Sequence, residues 1–148
     1  MIQQIYPVPS HPYEYELNKD MHFAAAHYIP AESAGSCSEM HGHTYFANIT
    51  IAGDALDETG FLVNFQQIKK LIHKRFDHTV INDDEKFQGD LKFPTTEVMA
   101  KVIYDIIQEH LDTLTHAPRC LQVFLRETPT SYCIYRPKGN GHEEDPCS

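Results

Sequence analysis

The fold class this sequence predicts is α+β: an antiparallel four-stranded sheet with two helices on one of its faces. Three observations point to it. Runs that alternate apolar and polar residues lie toward both ends of the chain, two segments with helical apolar spacing lie between them, and turn-rich stretches separate the neighbours. The resulting order, β-β-α-α-β-β, is that of two hairpins covered by one helical layer. Four strands leave two open edges, so association sheet to sheet is expected. A chain of 148 residues suits a single domain with a real core, here taken as 1–148.

The elements follow in order. Residues 1–12 hold three of the nine prolines and read as an irregular arm. Tyr13, Tyr15 and Leu17 then alternate with Glu14, Glu16 and Asn18, which predicts a half-buried strand continuing through "DMHFAAAH" to His27. A loop rich in Pro, Ala, Ser and Gly covers residues 30–39. The second strand runs from His41 to Ala52, with Tyr45, Ala47, Ile49 and Ile51 on one face. After the turn "GDALDETG", the segment "FLVNFQQIKKLIHKRF" places Phe65, Ile68, Ile72 and Phe76 at helical spacing, with Lys69, Lys70, Lys74 and Arg75 largely elsewhere. "DHTVINDDEKFQGDLKFP" reads as a polar loop. Pro94 and two threonines start a second helix that runs to about Leu111, burying Val98, Val102 and Ile106 with Met99, Ile103 and Ile107. The strands "RCLQVFLRE" and "SYCIYR", joined by "TPT", end the domain, and residues 137–148 read as an acidic tail.

The bulk properties exclude several classes. The chain is 41% hydrophobic and 22% charged, as ordinary globular proteins are. No apolar run approaches the roughly 20 residues that span a bilayer, so no membrane partner is expected. The start of the sequence has neither the basic residues nor the apolar stretch of a secretory signal, which makes the cytoplasm the expected location. The net charge of −9, or −6 without Glu143, Glu144 and Asp145, argues against nucleic acid, whose binding needs Lys and Arg to neutralise phosphates. A small anionic substrate held by a few local cations is compatible with it, and Lys19 and Arg119 are candidates. Cysteines at 37, 120, 133 and 147 form no C-x-x-C pair, so free thiols are expected.

"CSEMHGH", residues 37–43, carries the chemistry. On a strand, residues i and i+2 share a face, so His41 and His43 project side by side. Such a pair is often nothing more than two surface residues. Here His27 ends the preceding strand and supplies a third imidazole, with His22 as its rival, and the combination favours zinc. Three imidazoles and one open position describe a catalytic zinc site rather than a closed structural one. Cys37 sits in a Gly/Ser-rich loop four residues earlier. A thiolate there suits a base or a fourth ligand, while a buried cysteine would serve as a small hydrophobe. Asp77 can orient the imidazole of His78. Glu127, at a strand end, is a natural acceptor for a guanidine-like N–H edge, although a solvated carboxylate is the commoner fate. Thr95 and Thr96 are most simply helix-capping residues.

Six stretches in order extend the argument: "FAAAH", "CSEMHGH", "TGFLVNF", "DHTVIND", "PTTE", and "RET" with "CIYR". Together they resemble the 6-pyruvoyltetrahydropterin synthase superfamily, most closely its bacterial carboxy-forming branch of queuosine biosynthesis. The three-residue gap between Cys37 and His41 is similar to that branch. The resemblance covers about Leu17 to Arg136. It implies the T-fold, in which subunits join sheet to sheet into barrels with active sites at their interfaces, here as a hexamer built from two trimers. It implies zinc on His27, His41 and His43, Cys37 as base, His78 with Asp77 as proton relay, Glu127 as pterin anchor, and Thr95 and Thr96 at the pterin edge. The implied reaction turns 7,8-dihydroneopterin triphosphate, a pterin triphosphate, into 6-carboxytetrahydropterin with loss of triphosphate and acetaldehyde. The alternatives are pyruvoyl-forming or dihydroneopterin-cleaving activity, or a non-catalytic zinc- or pterin-binding module. Glu39 adds a second candidate acid beside Cys37, since one branch of the superfamily has a glutamate there.

Overall fold

β1 (Tyr15–His27) and β2 (His41–Gly53) pair antiparallel in one unbroken register, from Tyr15 opposite Gly53 to His27 opposite His41. The computed structural model describes residues 6–138, so the first five residues of the arm and the acidic tail from residue 139 lie outside the described residues. Beyond the hairpin come α1 (Phe65–Lys69), β3 (Thr79–Val80), α2 (Thr96–Leu111), β4 (Arg119–Thr128) and β5 (Ser131–Tyr135). β4 pairs antiparallel with β2 and β5 with β4.

The expected four-stranded antiparallel sheet is corrected to a five-stranded mixed one, in the order β3-β1-β2-β4-β5. β3 runs parallel to β1 and pairs only with Ala25 and Ala26. It lies in the stretch read as a polar loop, because two residues are too few to produce an alternating pattern. The first helix starts at Phe65, the first residue of its apolar spacing and four residues into the segment that holds it. Asn64 is extended and its side chain accepts the Gln66 N–H at 2.9 Å, so the helix begins at Phe65 while Leu62 and Val63 are buried in the preceding turn. From Lys70 to Lys74 the helix continues as a π turn. Ile68, Ile72 and Phe76 are all buried, whereas Phe65, expected with them, stays 40% exposed. α2 matches its expected span; Thr95 caps it by accepting the Val98 N–H at 3.2 Å.

The core lies between the helices and one sheet face. Met21, Phe23 and Ala25 of β1, Tyr45, Ala47, Ile49 and Ile51 of β2, and Val123 and Leu125 of β4 meet Ile68, Ile72, Met99, Ile103 and Ile107. Phe23 and Tyr45 stack with ring centroids 5.0 Å apart. Each large side chain buried this way contributes about 1.5–3 kcal/mol. The other face carries buried polar residues, beside Phe124 and Ala52. Asn48 donates to Asp20 at 2.9 Å, Thr50 donates to Asn18 at 2.7 Å, and Gln122 donates to the Pro7 carbonyl at 2.6 Å. Tyr6 of the arm packs on Phe124 with centroids 4.4 Å apart, so the arm lies across this face. No described helix is long and apolar enough to cross a membrane.

An ion pair ties the end of the first helix to the segment after β3. Arg75 donates from Nε and Nη2 to the two oxygens of Asp84 at 2.8 and 2.9 Å, and the Lys86 N–H adds a third bond at 3.0 Å. Burial pushes the Asp84 carboxyl up, but the Arg75 fork and the Lys86 N–H outweigh it and hold the group below the usual carboxylate range. A depressed carboxyl stabilises the fold above its unfolded value, near pH 4, and that contribution fades as pH falls through the folded value. Asp84→Asn is therefore expected to cost ~1–3 kcal/mol at pH 7. The difference from the parent in urea melts should shrink below about pH 4.

Candidate metal centre and active site

His27 and His41 are the closing pair of the β1–β2 hairpin, and His43 follows on the same face. Their rings stand edge to face, with centroids 4.6, 5.0 and 4.9 Å apart. One nitrogen of each lies within 4.8 Å of the others. Backbone carbonyls orient two of the rings. His27 Nδ1 donates to the Pro94 carbonyl at 2.8 Å and His41 Nδ1 to the Glu39 carbonyl at 2.7 Å. A carbonyl only accepts, so both Nδ1 atoms carry the proton and both Nε2 atoms keep their lone pairs. Nε2 of His27 and Nε2 of His43 are buried with no hydrogen-bond partner. Each orphaned nitrogen costs roughly 1–3 kcal/mol unless something binds it. Burial lowers the proton affinity of His27 and of His43; Pro94 and Glu127 for the first, and Glu127 for the second, oppose this without reversing it. Neutral imidazoles with free, converging lone pairs fit a divalent cation. His22, the rival ligand, is exposed on the opposite face of β1, where its ring meets Phe46 and His73.

Glu127 joins this cluster. A register irregularity between Arg126 and Thr128 ends the regular β4–β5 pairing at that point. Glu127 Oε1 lies 3.5 Å from His27 Nε2 and 3.8 Å from His43 Nε2 and forms a hydrogen bond with neither. The Tyr45 hydroxyl, 3.3 Å from His27 Nδ1, closes the inner side. Burial, with Glu127 adding to it, pushes the Tyr45 phenol far up, so it stays protonated. The Pro94 carbonyl and Tyr45 were not foreseen; they carry no motif, and only the fold brings them to His27. Thr95 and Thr96 follow Pro94 directly and thus lie beside the anchor of His27.

Cys37 is exposed in the 3₁₀ segment Glu32–Ser38, within the loop that joins His27 to His41. That loop is cross-tied by the Ile29 N–H to the Cys37 carbonyl at 2.8 Å, and Gly35 adopts φ +62°, a conformation that favours glycine. The reading of Cys37 as a buried hydrophobe does not hold. It fits Cys120 instead, whose thiol burial pushes up to about 12. The described cysteines are all free, and Cys147 lies outside the described residues.

Asp77 and His78 are placed elsewhere. Ala24 holds both: its N–H donates to Asp77 Oδ1 at 2.8 Å and its carbonyl accepts the His78 N–H at 2.6 Å. His78, with φ 61° and a side chain 84% exposed, borders a depression at the β3 edge of the sheet, together with Ala24, Ala26, Gly42, His43 and Thr44. Asp77 Oδ2 lies 3.4 Å from His78 Nε2, so the adjacent pair does meet. A side chain at Gly42 would make only an ordinary contact, 3.6 Å from the Ala25 carbonyl, so the single chain does not demand glycine there. The candidate anion cations lie far from the triad. Lys19 sits over Phe65, eight residues and roughly 26 Å along β1 from His27, and Arg119 pairs with Ala52 near the other end of β2.

Comparison with known proteins gives this geometry a context. The family described as 6-pyruvoyl tetrahydropterin synthase matches residues 16–138. A relative from Bacillus subtilis (strain 168), named 6-carboxy-5,6,7,8-tetrahydropterin synthase, is 63% identical over 143 residues, covering 95% of this chain and 98% of its own. A Drosophila melanogaster relative named 6-pyruvoyl tetrahydrobiopterin synthase is 32% identical over 112 residues, 71% of this chain and 64% of its own. The solved structure of Caenorhabditis elegans 6-pyruvoyl tetrahydropterin synthase superposes with a TM-score of 0.65 at 20% identity, over 82% of this chain and 94% of that one. A match that runs through both strands of the histidine hairpin and on past the last strand makes this chain a member of the 6-pyruvoyl tetrahydropterin synthase family.

Proposed function

We propose that the protein is a zinc-dependent 6-carboxy-5,6,7,8-tetrahydropterin synthase. It acts in the cytoplasm, converting 7,8-dihydroneopterin triphosphate with release of triphosphate and acetaldehyde in queuosine biosynthesis. The observation that carries the reading is the histidine triad, two of its Nε2 atoms buried and unpartnered beside Glu127, in a chain 63% identical to a protein of that name. The lower identity to the Drosophila relative, 32%, favours the carboxy product over the pyruvoyl one.

A zinc ion on the three Nε2 atoms supplies Lewis acidity, lowering the pKa of substrate hydroxyls and of the neighbouring C–H. Glu127 accepts the paired N–H groups of the pterin edge. Its carboxylate lies within 3.8 Å of two ligand nitrogens, so the ring it holds stays close to the triad. Thr95 and Thr96 bound the same edge. Cys37, exposed in the loop above His27 and His41, removes the carbon-bound proton as thiolate. His78, oriented by Asp77, moves protons in the later steps. Asp77 and His78 are held on the Ala24 backbone at the β3 edge rather than among the three imidazoles, which supports the reading that a neighbouring copy brings its own pair to each triad, within a hexamer of two trimers.

Three outcomes are expected. Metal-depleted protein takes up one equivalent of Zn²⁺ per chain by calorimetry, and His43→Ala abolishes that uptake. Cys37→Ala retains zinc and pterin binding while kcat falls by ~10³-fold or more. Near-full turnover by that variant would remove Cys37 from the mechanism. Finally, Cys37→Ala and His78→Ala proteins, each inactive alone, regain about a quarter of the parent rate when dissociated and reassembled together. No recovery would mean that each site is built within one chain.

A further inference from the structure

At the β3 edge of the sheet, one carboxylate oxygen is shared by two imidazoles. Asp77 Oδ1 is committed to the Ala24 N–H, and Oδ2 faces His78 Nε2 at 3.4 Å and His73 Nε2 at 3.5 Å. His73 comes from the π turn, one helical turn before Asp77, whose N–H donates to the His73 carbonyl at 2.9 Å. π turns frequently interrupt helices at functional sites. His73 is itself held: its Nδ1 donates to the His22 carbonyl, and the His22 ring meets its edge with centroids 5.8 Å apart. The titratable groups facing Asp77 are thus His22 on β1, His73 in the π turn and His78 beside it.

The bond to His22 dictates what His73 does on titration. A carbonyl only accepts, so Nδ1 keeps its proton in either state. Neutral, His73 turns the Nε2 lone pair toward Asp77. Protonated, it donates an N–H to the same oxygen that His78 faces. We propose that His73 is a positioning residue for the relay: it steadies Asp77 Oδ2 and, through its own proton, sets how fully that carboxylate serves His78. It acts through Asp77 rather than on substrate. The inference rests on the reading of Asp77 and His78 as the relay.

Two variants of the full-length protein test it. His73→Phe keeps the ring and removes both N–H groups; His73→Gln keeps a donor toward Asp77 that does not titrate. NMR titration of the exposed His78 ring, identified by the loss of its signal in His78→Asn, reads the coupling without turnover. The two Nε2 atoms are at most about 7 Å apart, so losing the His73 charge moves the His78 titration upward by ~0.4 pH unit. In steady state, the acid limb of kcat in His73→Phe moves the same way, kcat at neutral pH falls several-fold and KM changes less than two-fold. His73→Gln recovers kcat at neutral pH while keeping the moved limb. A His78 titration identical to the parent's in the folded variants overturns the proposal, and where His73→Phe does not fold, His73→Gln decides. A moved titration in a protein that makes no product supports the coupling and overturns only the proposed reaction.

Discussion

The register of the β1–β2 hairpin is the constraint on which everything else depends. Opposing His27 to His41 brings three imidazoles from two strands to one face at the hairpin's closed end. A slip by one residue would carry a whole strand's side chains to the other face, scattering the imidazoles and exposing Phe23 if β1 turned over or Tyr45 if β2 did. Metal centre and hydrophobic core are therefore specified by one pairing. The core residues two and four positions away hold the register, and the ligands inherit it.

The same strand serves the chemistry from its face and its edge. Alternate residues of β1 build the core and end at His27, while the edge-facing backbone of Ala24 holds Asp77 and His78. Charge is distributed to match. The buried imidazoles are held neutral, as ligands need to be, with a single carboxylate, Glu127, beside them. The β3 edge keeps Asp77 ionised: the Ala24 N–H lowers its carboxyl most, and the surrounding histidines add to this.

Much of this was legible in the residues. Alternation marked β1, β2, β4 and β5, because half-buried strands must alternate, and α2 was marked by its apolar face and its threonine cap. His41 and His43 were legible because a strand's period fixes their common side, and His27 because hairpins bring their ends together. What escaped lacks a periodic signature. Thr79 and Val80 form too short a strand, the π turn leaves the apolar spacing readable as one helix, and Phe65, at the helix's first position, keeps the spacing while staying exposed. Adjacency misled as well. Asp77-His78 follows a helix in sequence, and nothing in the dipeptide says which part of the sheet it reaches. Glu127 was assigned on its own chemistry, but its nearness to the histidines depends on a register irregularity that no residue pattern encodes.

The grip of the first helix on β1 also closes part of the sheet edge. Edge-facing backbone groups recur at every second residue, and near the closed end of β1 they are already taken: the Ala24 N–H and carbonyl by Asp77 and His78, the His22 carbonyl by His73. At this end the edge of β1 is closed by side chains and backbone of the same chain, so any further strand that pairs with it must do so nearer Tyr15.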